Sequence, residues 1–354
     1  MMATSSRLAS HHVELSDNSA VQDYFWTKGW TDGLPVVPPT PALVESFLDL
    51  AGIEPLQVVG VLPERSREIT AEKVAINAVM AGCLAEYFPV VLAAWQSISA
   101  PVWNLNSGAM STSGPAPLII VNGPIVKQIG MKSGQNLFGP GNRANATIGR
   151  ALRLMLINLA GAAGDFDVAC MGHPGKYNYC IAEDEEQGVP GWEPLHIQRG
   201  FHAEQSAVTV VNLEGPQHVN DVFSSTPEQL LRNYADHIKT FNQGGACVTV
   251  MNPEHRQILK DAGWSKSDVS QFLFENSGRS YAEMKRSSRI KGSVESGDDE
   301  KIFRWSRSAD DFLIVAGGAA GTFSIVIPPW AGGVWSEPVT SLVAEPGCAG
   351  ECFI

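Results

Sequence analysis

Seventeen residues carry the densest set of reactive side chains in the sequence. From Cys170 to Glu186 they hold two thiols, the His173 imidazole, the Lys176 amine, two phenols and four carboxylates. A thiolate beside a histidine makes a nucleophile with its base. Histidine and cysteine with a carboxylate also ligate zinc or another divalent ion. His173, Cys180 and Lys176 are therefore the expected catalytic set, with Lys176 stabilising developing charge. His173, Cys180 and Glu183 are the candidate ligands if a metal is used, although C-x2-H-x6-C is no standard zinc spacing. A helix over 177–186 would put Cys180 and Glu183 on one face. Each residue also has a plainer reading. Cys170 follows an apolar run and reads as core, His173 before Pro-Gly shapes a turn, and Asp184, Glu185 and Glu186 form a solvated face.

Two other loops bear on ligands. In residues 131–150, Gly139-Pro-Gly141 leads to Asn142, a good helix cap, with Arg143 and Arg150 seven apart on one face. Free N–H groups at a helix start beside an arginine fork suit a small anion. The loop matches neither common phosphate-binding pattern. Residues 106–114 offer the hydroxyls of Ser111 and Ser113 to a polar ligand, and Tyr177 is a further binding candidate. An irregular stretch follows, Trp192 to His202. There Glu193 and His196 could complete a site begun at His173, unless Trp192 merely pins a surface loop. Asp32, between Trp30 and Pro35, reads by default as an Asx-turn former.

Composition bounds the partners. The 354 residues include 25 Lys+Arg against 37 Asp+Glu, a net charge of −12, with no basic stripe, so nucleic acid is not an expected partner. The longest apolar stretch, Phe88 to Ile98, is too short to span a bilayer. Six cysteines are too few for a disulfide scaffold. Without a secretory segment at the N-terminus, the expected compartment is the cytoplasm and the cysteines are expected as thiols. Only 18% of residues are charged, which leaves room for large buried faces and for a homo-oligomer.

Positioning these groups requires a sheet with helices on its faces. Leu118–Pro124, Thr209–Pro216 and Val248–Glu254 each read as an apolar strand ending in Asn, with proline starting a helix. Phe312–Gly318 and Thr322–Ile327 read as a hairpin joined by a glycine turn. Helices are expected over 18–28, 41–51, 71–83, 87–98, 142–160 and 226–242, and a buried strand over 56–62. The expected fold is α/β: a mixed, mostly parallel sheet covered by helices, with an antiparallel hairpin section near the C-terminus. It would follow a loose arm (1–16), occupy 17–343 as one domain with a lobe boundary near 200–225 or 291–301, and end in a fraying tail (344–354) carrying Cys348 and Cys352.

The runs TDGLPVVPPT, EKVAINAVMAGC, EYFPVVLAAW, LFGPGNRANATIGRALRL and GHPGKYNYC together resemble a bacterial family of about this length. Its members are often encoded near, or fused to, UGSC-type proteins in which selenocysteine can replace a cysteine. The resemblance covers residues 20 to about 343 and implies an association with thiol or selenol chemistry. The expected function is an enzyme acting on a small polar or anionic organic molecule, as a lyase, hydrolase or thiol-linked reductase. The alternatives are a divalent-metal version and a non-catalytic subunit presenting substrate to a thiol or selenol partner. The loops 106–114, 131–143 and 173–202 are expected to gather at one end of the sheet.

Overall fold

The structure, a computed structural model, describes residues 7–164, 167–185, 190–241, 244–330 and 336–353. The Asp17 carboxylate accepts the Ala20 N–H and starts α1 (Asn18–Thr27). Proline at its first position opens α2 (Pro41–Ala51), and Gly52 ends it. The antiparallel strands β1 (Val58–Leu62) and β2 (Arg67–Thr70) lead to α3 (Ala71–Ala81) and α4 (Phe88–Ser99). A short α5 (Leu105–Ala109) enters β3 (Ala116–Asn122), and α6 (Ile125–Gln128) leaves it. The Asn142 side chain accepts the Asn145 N–H and caps α7 (Arg143–Asn158). Then come β4 (Cys180–Ala182), α8 (Leu195–Gln198), β5 (Ala207–Leu213) and β6 (Gln217–Asn220). The second half runs α9 (Pro227–Ile238), β7 (Cys247–Met251), α10 (Pro253–Asp261) and α11 (Lys266–Asn276). The pair β8 (Arg279–Ser280) and β9 (Ile302–Phe303) brackets α12 (Tyr281–Arg286). The strands β10 (Phe312–Ala316), β11 (Phe323–Ile327) and β12 (Val339–Leu342) follow.

Two four-stranded sheets form the centre, in the orders β4-β3-β5-β12 and β10-β7-β11-β6. Read from the left, both begin with a parallel pair and continue with two antiparallel ones. The halves repeat one architecture and trade their last strands. The chain leaves β5 for the far sheet as β6, and leaves β11 for the near sheet as β12. A single bridge between Leu213 and Pro329 ties the sheets where these crossings start.

Alternation along the strands makes four layers. In the first sheet Ile119, Val121, Cys180, Ala182, Val208 and Val210 face α2, α3, α4 and α7. Leu118, Ile120, Ile181 and Val211 face the other way, onto Val248, Val250, Leu313, Val315 and Ile327 of the second sheet. Cys247, Met251, Phe312 and Ile314 turn outward under α9, α10 and α11. The order is helices, sheet, sheet, helices. Strands β3, β4, β5, β7 and β10 are buried almost throughout on both faces, which is why they read as apolar runs, while β6 and β12 are partly exposed.

The mixed α/β class stands, with only one parallel pairing of three in each sheet. Four details differ from expectation. Pro216 starts no helix: Gln217-His-Val-Asn lacks a helical apolar period and pairs as β6. Strands β10 and β11 are not partners, because β7 takes the place between them and the glycine link spans two strand spacings. Residues 180–182 are strand rather than helix. The β1 strand is only half-buried.

The described segments near both ends of the chain are docked. The Ala9 and Ser10 N–H groups bond the buried Glu72 carboxylate. The tail packs on the end of α2, where Gly347 N–H bonds Leu50 O, Gly350 N–H bonds Gly52 O, and Ala349 is buried. Gly52 has φ 67°, and a Cβ there would lie 2.1 Å from the Gly347 carbonyl oxygen. Gly52→Ala is therefore expected to cost about 1–3 kcal/mol in urea unfolding and to open residues 344–351 to proteolysis. An unchanged urea midpoint with a protected tail would contradict this docking.

Candidate functional site

A cleft of about 700 Å³ opens where the loop before β4 meets the second half of α7. Arg153 and Ile157 on α7 line one wall; Asp167, Ala169, Met171, His173, Lys176 and Tyr177 line the other, with Asp32 below. Its charges are paired. Asp167 receives Arg153 Nη2 at 2.7 Å on one oxygen and Lys176 Nζ at 2.5 Å on the other. Burial alone would raise the Asp167 carboxyl; the two cations outweigh it and hold the group below the usual range. Asp32 makes the expected Asx turn to Leu34 N–H, and Arg150 grips both its oxygens at 2.9 Å. Burial again pushes upward and Arg150 more than offsets it, so Asp32 is also held ionised. Among the described residues lining the cleft, two cations, Arg153 and Lys176, face two carboxylates, Asp167 and Asp32.

His173 caps the 3-10 turn Pro174–Lys176, its Nδ1 accepting the Gly175 N–H at 3.2 Å. The neutral ring therefore carries its proton on Nε2, which is buried with no hydrogen bond of normal geometry. Burial lowers the His173 pKa and the Lys176 charge adds to this, while the Leu213 backbone acts in the opposite sense. Tyr177 and Met171 stand exposed at the mouth.

Cys180 is not in this cleft. It lies on β4 with its side chain under the helices, and burial pushes its thiol far above the ordinary value. A buried neutral thiol is a poor nucleophile and a poor metal ligand. Cys83 and Cys247 are likewise buried and pushed up to about 12. Cys170, expected in the core, is exposed, because residues 167–169 form no strand. Glu186 and Phe166 lie outside the described residues, as does the Cys352 side chain. Among the described residues no group of three or more His, Cys, Asp and Glu is arranged to hold a metal ion.

The expected binding loops separate by strand polarity. Residues 106–114 and 172–179 precede the parallel strands β3 and β4 and so lie at their amino ends. Residues 131–142 lie at the carboxyl ends, where Ser133 O accepts the Gly318 N–H. Asn142 uses its side chain as cap and as donor to Gly130 O, exposed Arg143 bonds Gly82 O, and Arg150 is committed to Asp32. No arginine fork faces the helix start. Ser111 bonds Ser113 and accepts from Trp330 Nε1. Trp192 is buried with Nε1 on Trp264 O, and His196 lies fully buried near Glu185, away from His173.

The carboxyl ends hold a second polar cluster. Glu183, 2% exposed, accepts four hydrogen bonds from four elements. Its donors are Lys266 Nζ at 2.7 Å, Leu195 N at 2.7 Å, Asn122 Nδ2 at 2.8 Å and Ala316 N at 3.1 Å. Asp184 N–H returns a bond to Ala316 O. Burial would raise the Glu183 carboxyl, yet Lys266 and the other donors hold it below its ordinary 4.5. Its role is to lock the two sheets. Sequence reading missed Arg153, Asp167, Asn122 and Lys266. Arg153 lies one helical turn beyond Arg150, a signal that was available; the others are joined only by tertiary structure.

No protein-family model, curated protein or solved structure matches the chain. Among the described residues no helix is long and apolar enough to cross a membrane.

Glu183→Gln is expected to cost about 3–5 kcal/mol, since Lys266 is left charged and buried. A folded pKa below the unfolded value places the carboxylate's contribution above pH 4.5, lost as pH falls through the lower folded value. Urea stability of the Glu183→Leu/Lys266→Met pair should thus fall less steeply on acidification than that of the native chain. Parallel acid limbs would contradict the assignment.

Proposed function

We propose that the chain is an enzyme whose substrate is a small anionic organic molecule bound in the cleft beside α7. The observation that carries this reading is the convergence of Arg153 and Lys176 on one partly exposed carboxylate, Asp167, inside the cleft. Both cations keep donors beyond those they spend on Asp167: the guanidinium has five N–H groups and the ammonium three. Preorganised donors in a partly dry wall bind an incoming carboxylate, and stabilise negative charge that grows during reaction.

In this reading the chemistry is cleavage of a carbon–heteroatom bond, for which a proton must be moved. His173 is the candidate, once its ring turns from the Gly175 N–H and frees Nδ1. Lys176, ion-paired to Asp167, acts as a charge stabiliser rather than a nucleophile. Cys180 takes no part. The thiol or selenol association implied by the sequence resemblance then concerns a partner acting before or after this chain.

Thermal-shift screening with small monocarboxylates and organic phosphates, followed by turnover assays of each binder, tests the proposal. Arg153→Gln and Lys176→Gln should each weaken binding about ten-fold or more, the loss of a charge-assisted hydrogen bond, while Arg143→Gln and Cys180→Ala leave it unchanged. His173→Asn keeps an acceptor for the Gly175 N–H but has no imidazole, so binding should persist and turnover fall. Equal binding by the native chain and Arg153→Gln would overturn the proposal.

A further inference from the structure

The cleft is charged in both senses, with Arg153 on one wall and Asp167 and Lys176 on the other, and this narrows its ligand. Arg153, Asp167 and Lys176 side chains are 17%, 16% and 15% exposed, so the anion between the two cations is as open to a ligand as they are. Asp32 differs: it is 3% exposed and both its oxygens are taken by Arg150. Each Asp167 oxygen accepts one hydrogen bond from its cation and has a second lone pair to offer. A bare carboxylate entering beside Lys176 would meet Asp167 as a like charge. A bare amine would meet two cations. A molecule with a carboxylate and an ammonium on neighbouring atoms satisfies all three groups, its carboxylate on Lys176 and Arg153 and its ammonium on Asp167. The other described lining residues include the apolar Ile157, Ala169, Met171 and Pro174 and the neutral Tyr177.

We infer that the cleft selects a zwitterionic α-amino acid with a short, uncharged side chain. This rests on the anion-binding reading of the same cleft and adds Asp167 as the group that reads the ammonium.

The experiment compares L-norvaline with valerate, which lacks the amine, and butylamine, which lacks the carboxylate, by calorimetry on the full chain; the common L-amino acids are screened alongside. The inference expects at least one short neutral amino acid, norvaline or a natural one, to bind about ten-fold or more tighter than both of its truncated analogues. Asp167→Asn should remove that advantage while valerate binding is kept or improved, which also shows that the variant is folded. Valerate binding as tightly as every amino acid would overturn the inference and leave the anion reading standing. Failure of carboxylates and amino acids alike would overturn both.

Discussion

The structure hangs on one buried carboxylate. Glu183 stands at the end of β4, where the carboxyl ends of the parallel strands of both sheets meet. It accepts bonds from β3, from the end of β10, from the start of α8 and from α11. Four donors, one of them a buried ammonium, are what make an ionised group tolerable at such depth. Burying it fixes the sheets against one another at one end, as the Leu213–Pro329 bridge does at the other. The inner core of Leu118, Ile120, Val248 and Leu313 is then held in a single stacking.

The lock has a consequence for function. Open α/β sheets commonly bind ligands at the carboxyl ends of their strands. Here that end is closed by Glu183, Lys266 and the Asn122 side chain. The cleft forms instead at the amino end of β4, between the loop that enters it and the returning half of α7. Each end is polar for a different reason: one satisfies its charges internally, and the other leaves a cation–anion–cation row partly open.

Much of this was legible in the sequence. Proline and asparagine punctuation marked α2, α7, α9 and α10 to within a few residues, because caps and first-turn prolines act locally. His173 and Lys176, three residues apart across a Pro-Gly turn, line the same cleft. Cys180 was grouped with them by proximity in sequence, yet Cys180 lies on a strand whose alternation carries its side chain into the helical layer. Arg153 and Asp167 face each other only because the loop before β4 folds back along α7. The exchange of β6 and β12 between sheets was equally hidden, since strand partnership depends on distant residues and the local pattern of Gln217–Asn220 reports only an extended segment.

The central claim is that Arg153 and Lys176 are the binding centre of the molecule. A crystal structure of the chain soaked with its tightest-binding carboxylate tests this most directly. The account predicts ligand density within hydrogen-bond distance of Arg153 and Lys176, with Asp167 still in contact with both. Full-occupancy density at the Asn142 helix start or beside Glu185 and His196, with the α7 cleft empty, would contradict it.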